Sequence, residues 1–199
     1  MAIKTANNQS MTAITALPSG VSAKSLILLA TETASSSSTV TFDSNIDDTY
    51  KEYIFKFTDI HPSEEAEFQV NFRDGSTAYD ATKTTTLFRA LHDEGDTVTA
   101  LAYRTGGDLA QGTGFQRLNE GLGADNDQCV SGDLHLYDPS STTFVKHFTA
   151  KTSGCNAGDR VDTTHIAGYC NVTAAIDGVQ FKMTAGTIEA GTIKMYGVV

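Results

Sequence analysis

The sequence predicts an all-β chain, an antiparallel β-sandwich of jelly-roll type with an extended N-terminal arm. Three observations predict it. Apolar residues alternate with polar ones at a period of two in several short segments, as in Phe68, Val70 and Phe72. Threonine occurs 28 times, and a β-branched side chain suits a pleated, half-exposed surface. Proline occurs only at Pro18, Pro62 and Pro139, which leaves the stretches between free to make ladder hydrogen bonds.

Residues 1–22 differ from the rest. They are polar with scattered apolar side chains (Ile3, Met11, Ile14, Leu17) and end in Leu17-Pro18-Ser19-Gly20, a turn or hinge signal. Such a segment buries too little apolar surface to order itself, so it reads as an arm that docks on a partner. Residues 23–199 then form the sandwich. A short apolar run fills residues 26–33, the Ser35-Ser36-Ser37-Ser38 tract reads as a loop, and residues 39–42 alternate. Tyr53, Phe55 and Phe57 mark a strong strand that Pro62 closes. Phe68, Val70 and Phe72 mark the next, and the two strands read as a hairpin-like pair through residues 61–65.

Residues 83–91 give another strand, with three consecutive threonines. Residues 93–128 hold seven acids and two bases and read as long loops, with a short strand near residues 97–103. Leu134 and Leu136 open a strand that turns at Asp138-Pro139-Ser140-Ser141 into a return strand over residues 144–150. Residues 165–169, Val179-Phe181-Met183 and Ile193-Met195 complete about nine to eleven strands. Phe55, Phe57, Phe68, Val70, Phe72, Leu134, Leu136, Phe181 and Ile193 are the expected core.

The formal net charge of −10 argues against nucleic acid and anionic membrane as partners, since neither supplies a counter-charge. The opening Met1-Ala2-Ile3-Lys4 leads into a polar run with no apolar signal core, which predicts assembly in a cytoplasm. No nucleophile stands in a G-x-S-x-G elbow or other recognisable catalytic setting, and the sequence offers no carboxylate pair. The expectation is therefore a non-enzymatic protein with no catalytic residues and no cofactor.

Asp43, Asn45 and Asp47 resemble the start of a calcium loop. Asp48 stands where that loop needs Gly, and Ile54 where it needs Glu, so only a loose calcium site or a solvated acidic loop remains. Asp125 and Asp127 are a weaker pair of the same kind. His135 and His147 flank the Asp138–Ser141 turn as possible cross-strand neighbours, against the plainer reading of ordinary polar sheet positions. Cys155, His165 and Cys170 have zinc-ligand types without zinc spacing. The odd cysteine count, three, fits separate buried thiols in a reducing site of synthesis, and a Cys155–Cys170 bridge after release is the other option. Tyr50, Tyr79, Tyr103 and Tyr137 fall near strand ends, where they suit sugar stacking or simply the amphipathic ring.

Four stretches carry a likeness. They are Thr49-Tyr50-Lys51-Glu52-Tyr53-Ile54-Phe55-Lys56-Phe57 with Ile60-His61-Pro62 after it, Lys83-Thr84-Thr85-Thr86, Ser140-Ser141-Thr142-Thr143-Phe144, and Gly191-Thr192-Ile193-Lys194-Met195-Tyr196-Gly197. From about residue 24 onward the chain resembles virion structural proteins of marine tailed bacteriophages, and the opening Asn-Asn-Gln-Ser is also similar. The resemblance implies a particle component located in the virion. Its expected partners are the major capsid protein or other virion proteins. A capsid decoration or cement protein is the leading expectation. A tail-fibre or receptor-binding module recognising host surface glycan is the alternative; the short chain lacks the heptads or repeats of a shaft. Uncharged strands at residues 26–29, and residues 179–183 with Lys182 alone, are exposed liabilities on a monomer, so the sequence also predicts a homotrimer.

Overall fold

The computed structural model describes residues 25–199, so the arm expected over residues 1–22 lies outside the described residues. Every element among them is a strand. They are β1 (Leu26–Ser37), β2 (Val40–Phe42), β3 (Glu52–Pro62), β4 (Phe68–Arg73), β5 (Lys83–Asp93) and β6 (Thr99–Tyr103). There follow β7 (Gln116–Arg117), β8 (Val130–Tyr137), β9 (Lys146–Asn156), β10 (Arg160–Cys170), β11 (Gly178–Met183) and β12 (Ile188–Val198).

The strands form two antiparallel sheets. The large one has eight strands in the order β1-β12-β3-β8-β9-β10-β5-β6, and the small one four in the order β2-β11-β4-β7. They face one another across a shared core, as in a β-sandwich. All nine expected core residues are buried. Phe181 of the small sheet is central. It stacks on Phe68 at 5.5 Å between centroids and meets Phe55 and Phe57 of the large sheet at 5.8 and 6.3 Å. Each such aromatic pair adds about 0.5–1.5 kcal/mol beyond its buried area.

Four expectations need correction. The strands with Phe55 and Phe68 do not make a hairpin: β3 lies in the large sheet and β4 in the small one. Alternation places both sets of phenylalanines inward, and inward residues from two sheets meet without sharing a ladder. The Ser35–Ser37 stretch is strand rather than loop, because Ser35 pairs with Ala190 and Ser37 with Ile188. Residues 179–183 are not an edge, since β11 is flanked by β2 and β4. Finally, the segment between β6 and β8 is ordered cover rather than loose loop. Its backbone bonds to the large sheet through Lys83 and Gly112 at 2.9 and 3.0 Å, and Gln116, Asn119 and Gln128 are buried.

Local backbone chemistry explains one sharp feature. The β12–β3 ladder shifts register between Ala190 and Thr192. Gly191 has φ of 124° there, and a Cβ on it would stand 2.7 Å from the Asp59 carbonyl, so only glycine fits.

Phe181→Ala should cost about 3–5 kcal/mol, because the ring fills a site already closed by four other phenylalanines (Phe42, Phe55, Phe57, Phe68). Urea unfolding followed by far-ultraviolet circular dichroism measures it. A loss below about 1 kcal/mol would mean the two sheets do not meet through this ring.

Candidate functional site

Four strands cannot cover the inner face of eight. Over the β9-β10-β5 part of the large sheet the inward positions mix apolar residues such as Leu87, Phe148 and Ile166 with polar ones, and Lys83, Thr85, Lys146, Thr152, Asp162 and Thr164 are all buried. The segment between β6 and β8 closes over them. Thr85 donates to Gln116 Oε1 at 2.6 Å and Thr152 to the Leu118 carbonyl at 2.7 Å, which anchors that cover.

At one end of this region four of the chain's five arginines converge on one cleft: Arg89, Arg104, Arg117 and Arg160. They meet Glu65, Glu67 and Glu120 there, with Asp162 just beneath. Glu120 is nearly buried and carries two guanidinium partners, Arg104 Nε at 2.8 Å and Arg89 Nη1 at 3.0 Å. Arg89 also approaches Asp162 at 3.7 Å, and Asn156 donates to the same carboxylate at 2.6 Å. Arg117 pairs with Glu67 at 2.8 Å. Burial pushes the Asp162 and Glu67 carboxyls above the usual carboxylate range, against the pull of Asn156 and Arg89 on the first and of Arg117 on the second.

This constellation of carboxylates paired with guanidiniums is one that the sequence did not reveal. Its members are spread from Glu65 to Asp162, and nothing in their spacing signals convergence. The only available signal was the scarcity of arginine. Chemically the cleft is balanced, four guanidiniums against four carboxylates. Arg89 ties the covering segment to β5 through Glu120, and Arg117 ties it to the β3–β4 connection through Glu67, which are structural tasks. Asp162 Oδ1, Arg160 Nε and Thr164 Oγ1 are buried without hydrogen-bond partners, so the cleft keeps some unused polar capacity.

A second buried cluster lies at the other end. Lys83 and Lys146 stand opposite Cys170 on the strands flanking β10, and all three are fully buried. Lys83 Nζ donates to the Ala81 and Gly114 carbonyls, each at 2.8 Å, and Lys146 Nζ to Val172 at 2.8 Å. Burial brings the Lys83 ammonium down to about 8 and lowers that of Lys146, and it pushes the Cys170 thiol up to about 12.

The residues singled out from the sequence do not converge. Asp43, Asn45 and Asp47 are exposed in the β2–β3 loop, and Asp47 Oδ1 is engaged by the Thr49 amide at 2.9 Å and the Tyr53 hydroxyl at 3.2 Å. Asp125 and Asp127 are exposed near the start of β8. His135 pairs across the ladder with Thr149 rather than His147, and its ring contacts Glu52 at 2.6 Å and Asp133 at 3.3 Å. A Cys155–Cys170 bridge is impossible. The Cys155 partner on β10 is Val161, nine residues from Cys170, or about 30 Å of strand. That separation also ends the Cys155-His165-Cys170 set. Among the described residues no group of three or more His, Cys, Asp or Glu is placed to hold a metal. Of the tyrosines, Tyr50 packs on Tyr53 and Tyr79 lies under Arg73, while Tyr103 and Tyr137 remain exposed on the outer face of the large sheet.

No protein-family model, curated protein or solved structure matches the chain. No helix among the described residues is long and apolar enough to cross a membrane.

Two outcomes follow from the buried charges. Arg89→Met should destabilise by about 3 kcal/mol, because Glu120 and Asp162 lose a shared counter-charge while staying buried; urea unfolding measures this, and a neutral change would mean the cleft is solvated. The second concerns alkaline pH. Between about 8 and 10.5 the unfolded chain holds a Lys83 proton that the folded chain has shed, so stability rises with pH there. Between 9 and about 12 the folded chain holds a Cys170 proton that the unfolded chain has shed, so stability falls. The two oppose each other above pH 9, each by at most about 1.4 kcal/mol per pH unit. Cys170→Ala should unmask the lysine rise between pH 9 and 10. Identical profiles for the two proteins would contradict it.

Proposed function

We propose that this chain is a non-enzymatic virion structural protein of a tailed bacteriophage, a capsid decoration or cement protein that docks on the shell of major capsid protein. The observation that carries the reading is an exposed apolar face beside an open strand edge. On the outer face of the large sheet Leu101 is 76% exposed, Tyr103 52%, Val161 49% and Phe88 43%. Register puts them together, with Phe88 opposite Tyr103 on the last two strands. β6 has a partner on one side only. Such a patch marks a surface made to associate. The sequence resemblance supplies the setting, and the net charge of −10 keeps the free subunit soluble.

In this proposal the fold is a jelly-roll-type sandwich, residues 1–22 are the anchoring arm, and three copies meet through the β6 edge. The tail-fibre or receptor-binding reading keeps one supporting observation. Phe88 stacks on His165 at 5.0 Å and His135 on Tyr137 at 6.2 Å, and these rings line a shallow outer groove of about 350 Å³. Flat exposed rings of this kind suit the face of a host surface sugar.

Copy number per particle separates the two readings, with hundreds of copies for decoration and a handful for a fibre. Leu101→Glu should leave the circular-dichroism spectrum unchanged and convert a trimer to a monomer by light scattering. A wild-type protein that is monomeric both free and on the shell would remove the trimer. Deletion of residues 1–20 should abolish incorporation of a still-folded sandwich, and normal incorporation would remove the anchor.

A further inference from the structure

We propose that Cys129 and Cys155 are a cross-strand dithiol that closes to a disulfide when the protein meets a disulfide oxidant. In the β8–β9 ladder Val130 stands opposite Gly154. One step further along each strand sets Cys129 against Cys155, and the Cys155 amide donates to the Cys129 carbonyl at 3.1 Å. Directly opposed residues of an antiparallel pair point to the same face. Val130 is buried inward, so both thiols point outward. Both are half-buried, and both line one open groove of about 590 Å³ on the outer face.

The spacing suits a bridge. Hydrogen-bonded opposed residues have Cα atoms about 5.5 Å apart, inside the roughly 4.4–6.8 Å that disulfides span. Their Cβ atoms lie near the long end, about 5.5 Å, so the backbones must draw together by about 1 Å to reach the usual Cβ separation of roughly 3.5–4.5 Å. Cys129 lies just before the first residue of β8, outside the regular ladder, where the Cys155 amide bond is the link to β9. Cys170, fully buried at the far end of β10, is no competitor.

The reaction needs an oxidant such as oxidised glutathione. One protein thiolate attacks a glutathione sulfur, the glutathione S–S bond breaks, and the first glutathione thiolate leaves. The second protein thiolate attacks the protein sulfur of the mixed disulfide and expels the second glutathione. The protein loses two electrons and two protons, and the oxidant gains both. Burial, reinforced by Asp59 at Cys129 and by Asp127 at Cys155, holds both thiols up, so closure is slow at neutral pH and faster in mild alkali. The ring so formed ties the covering segment, which ends at Cys129, to the end of β9.

The test treats the purified full chain with oxidised glutathione and, separately, with a dithiol reductant. Non-reducing peptide mapping should find the Cys129 and Cys155 peptides joined and two hydrogen atoms lighter. Thiols titrated in denaturant should fall from three per chain to one. The oxidised form should melt about 5–10 °C above the reduced form. Cys170→Ala should keep this shift and Cys155→Ser should lose it. Three persisting thiols, a link through Cys170, a link between chains, or glutathione left on either cysteine without ring closure would each overturn the proposal. Mapping of the wild-type chain decides it even where a variant fails to fold.

Discussion

The large sheet exposes twice as many strands to the interior as the small sheet can cover, and most of the unusual chemistry follows from that mismatch. A sheet face left open in water would forfeit the apolar burial that drives folding. The chain meets the problem with two kinds of cover. Over β12, β3 and β8 the small sheet supplies phenylalanines, and the core there is dry and aromatic. Over β9, β10 and β5 it supplies the segment between β6 and β8, which buries Leu118 and Leu122 but otherwise brings mainly polar side chains. Backbone carbonyls and amides are what such a segment brings, so the sheet beneath it answers with lysine, threonine, aspartate and arginine.

Those polar side chains are expensive where they stand. Lys83 and Lys146 lose hydration and recover it only from carbonyl oxygens, with no carboxylate in contact. At the other end, Glu120 and Asp162 depend on arginines drawn from both the sheet and its cover. What these groups provide is direction. A hydrocarbon contact slides, whereas an ammonium on two carbonyls or a guanidinium on a carboxylate fixes where an irregular segment must lie. The cover is thus held by points of attachment, and each of those points titrates or can lose its partner.

The same division decides how much of the molecule was legible in its sequence. Strands under the small sheet bury apolar residues at alternate positions, and their alternation names both the strand and its inward face, as with Phe55, Phe57, Leu134 and Leu136. Where the inward positions are Thr152 on β9, or Asp162 and Thr164 on β10, a period of two in hydrophobicity vanishes although the period in direction persists. The sequence therefore ended β9 at residue 150 and began β10 at residue 165, losing the turn between them. β7, two residues long, has no period to detect. The arginine cleft was hidden for a related reason: its members come from five separate segments, and only tertiary structure sums them.

The four edges of the two sheets differ in how they are protected. β2 and β7, the edges of the small sheet, are three and two residues long, too short to template another strand. β1 carries Glu32 and a register shift between Leu28 and Ala30, both ordinary defences against pairing. β6 reads Thr99-Ala100-Leu101-Ala102-Tyr103, with no charge, no proline and its most apolar side chain the most exposed large hydrophobic residue among those described. In a chain whose acids outnumber its bases by ten, this five-residue edge carries no charge of its own. An edge without its own protection is a liability in solution unless something else covers it. The outer face beside it, apolar across Phe88, Tyr103 and Val161, gives that cover an area to rest on. Strand pairing with a neighbouring chain would satisfy the open backbone groups while this face buried against it, so a single contact would meet both needs.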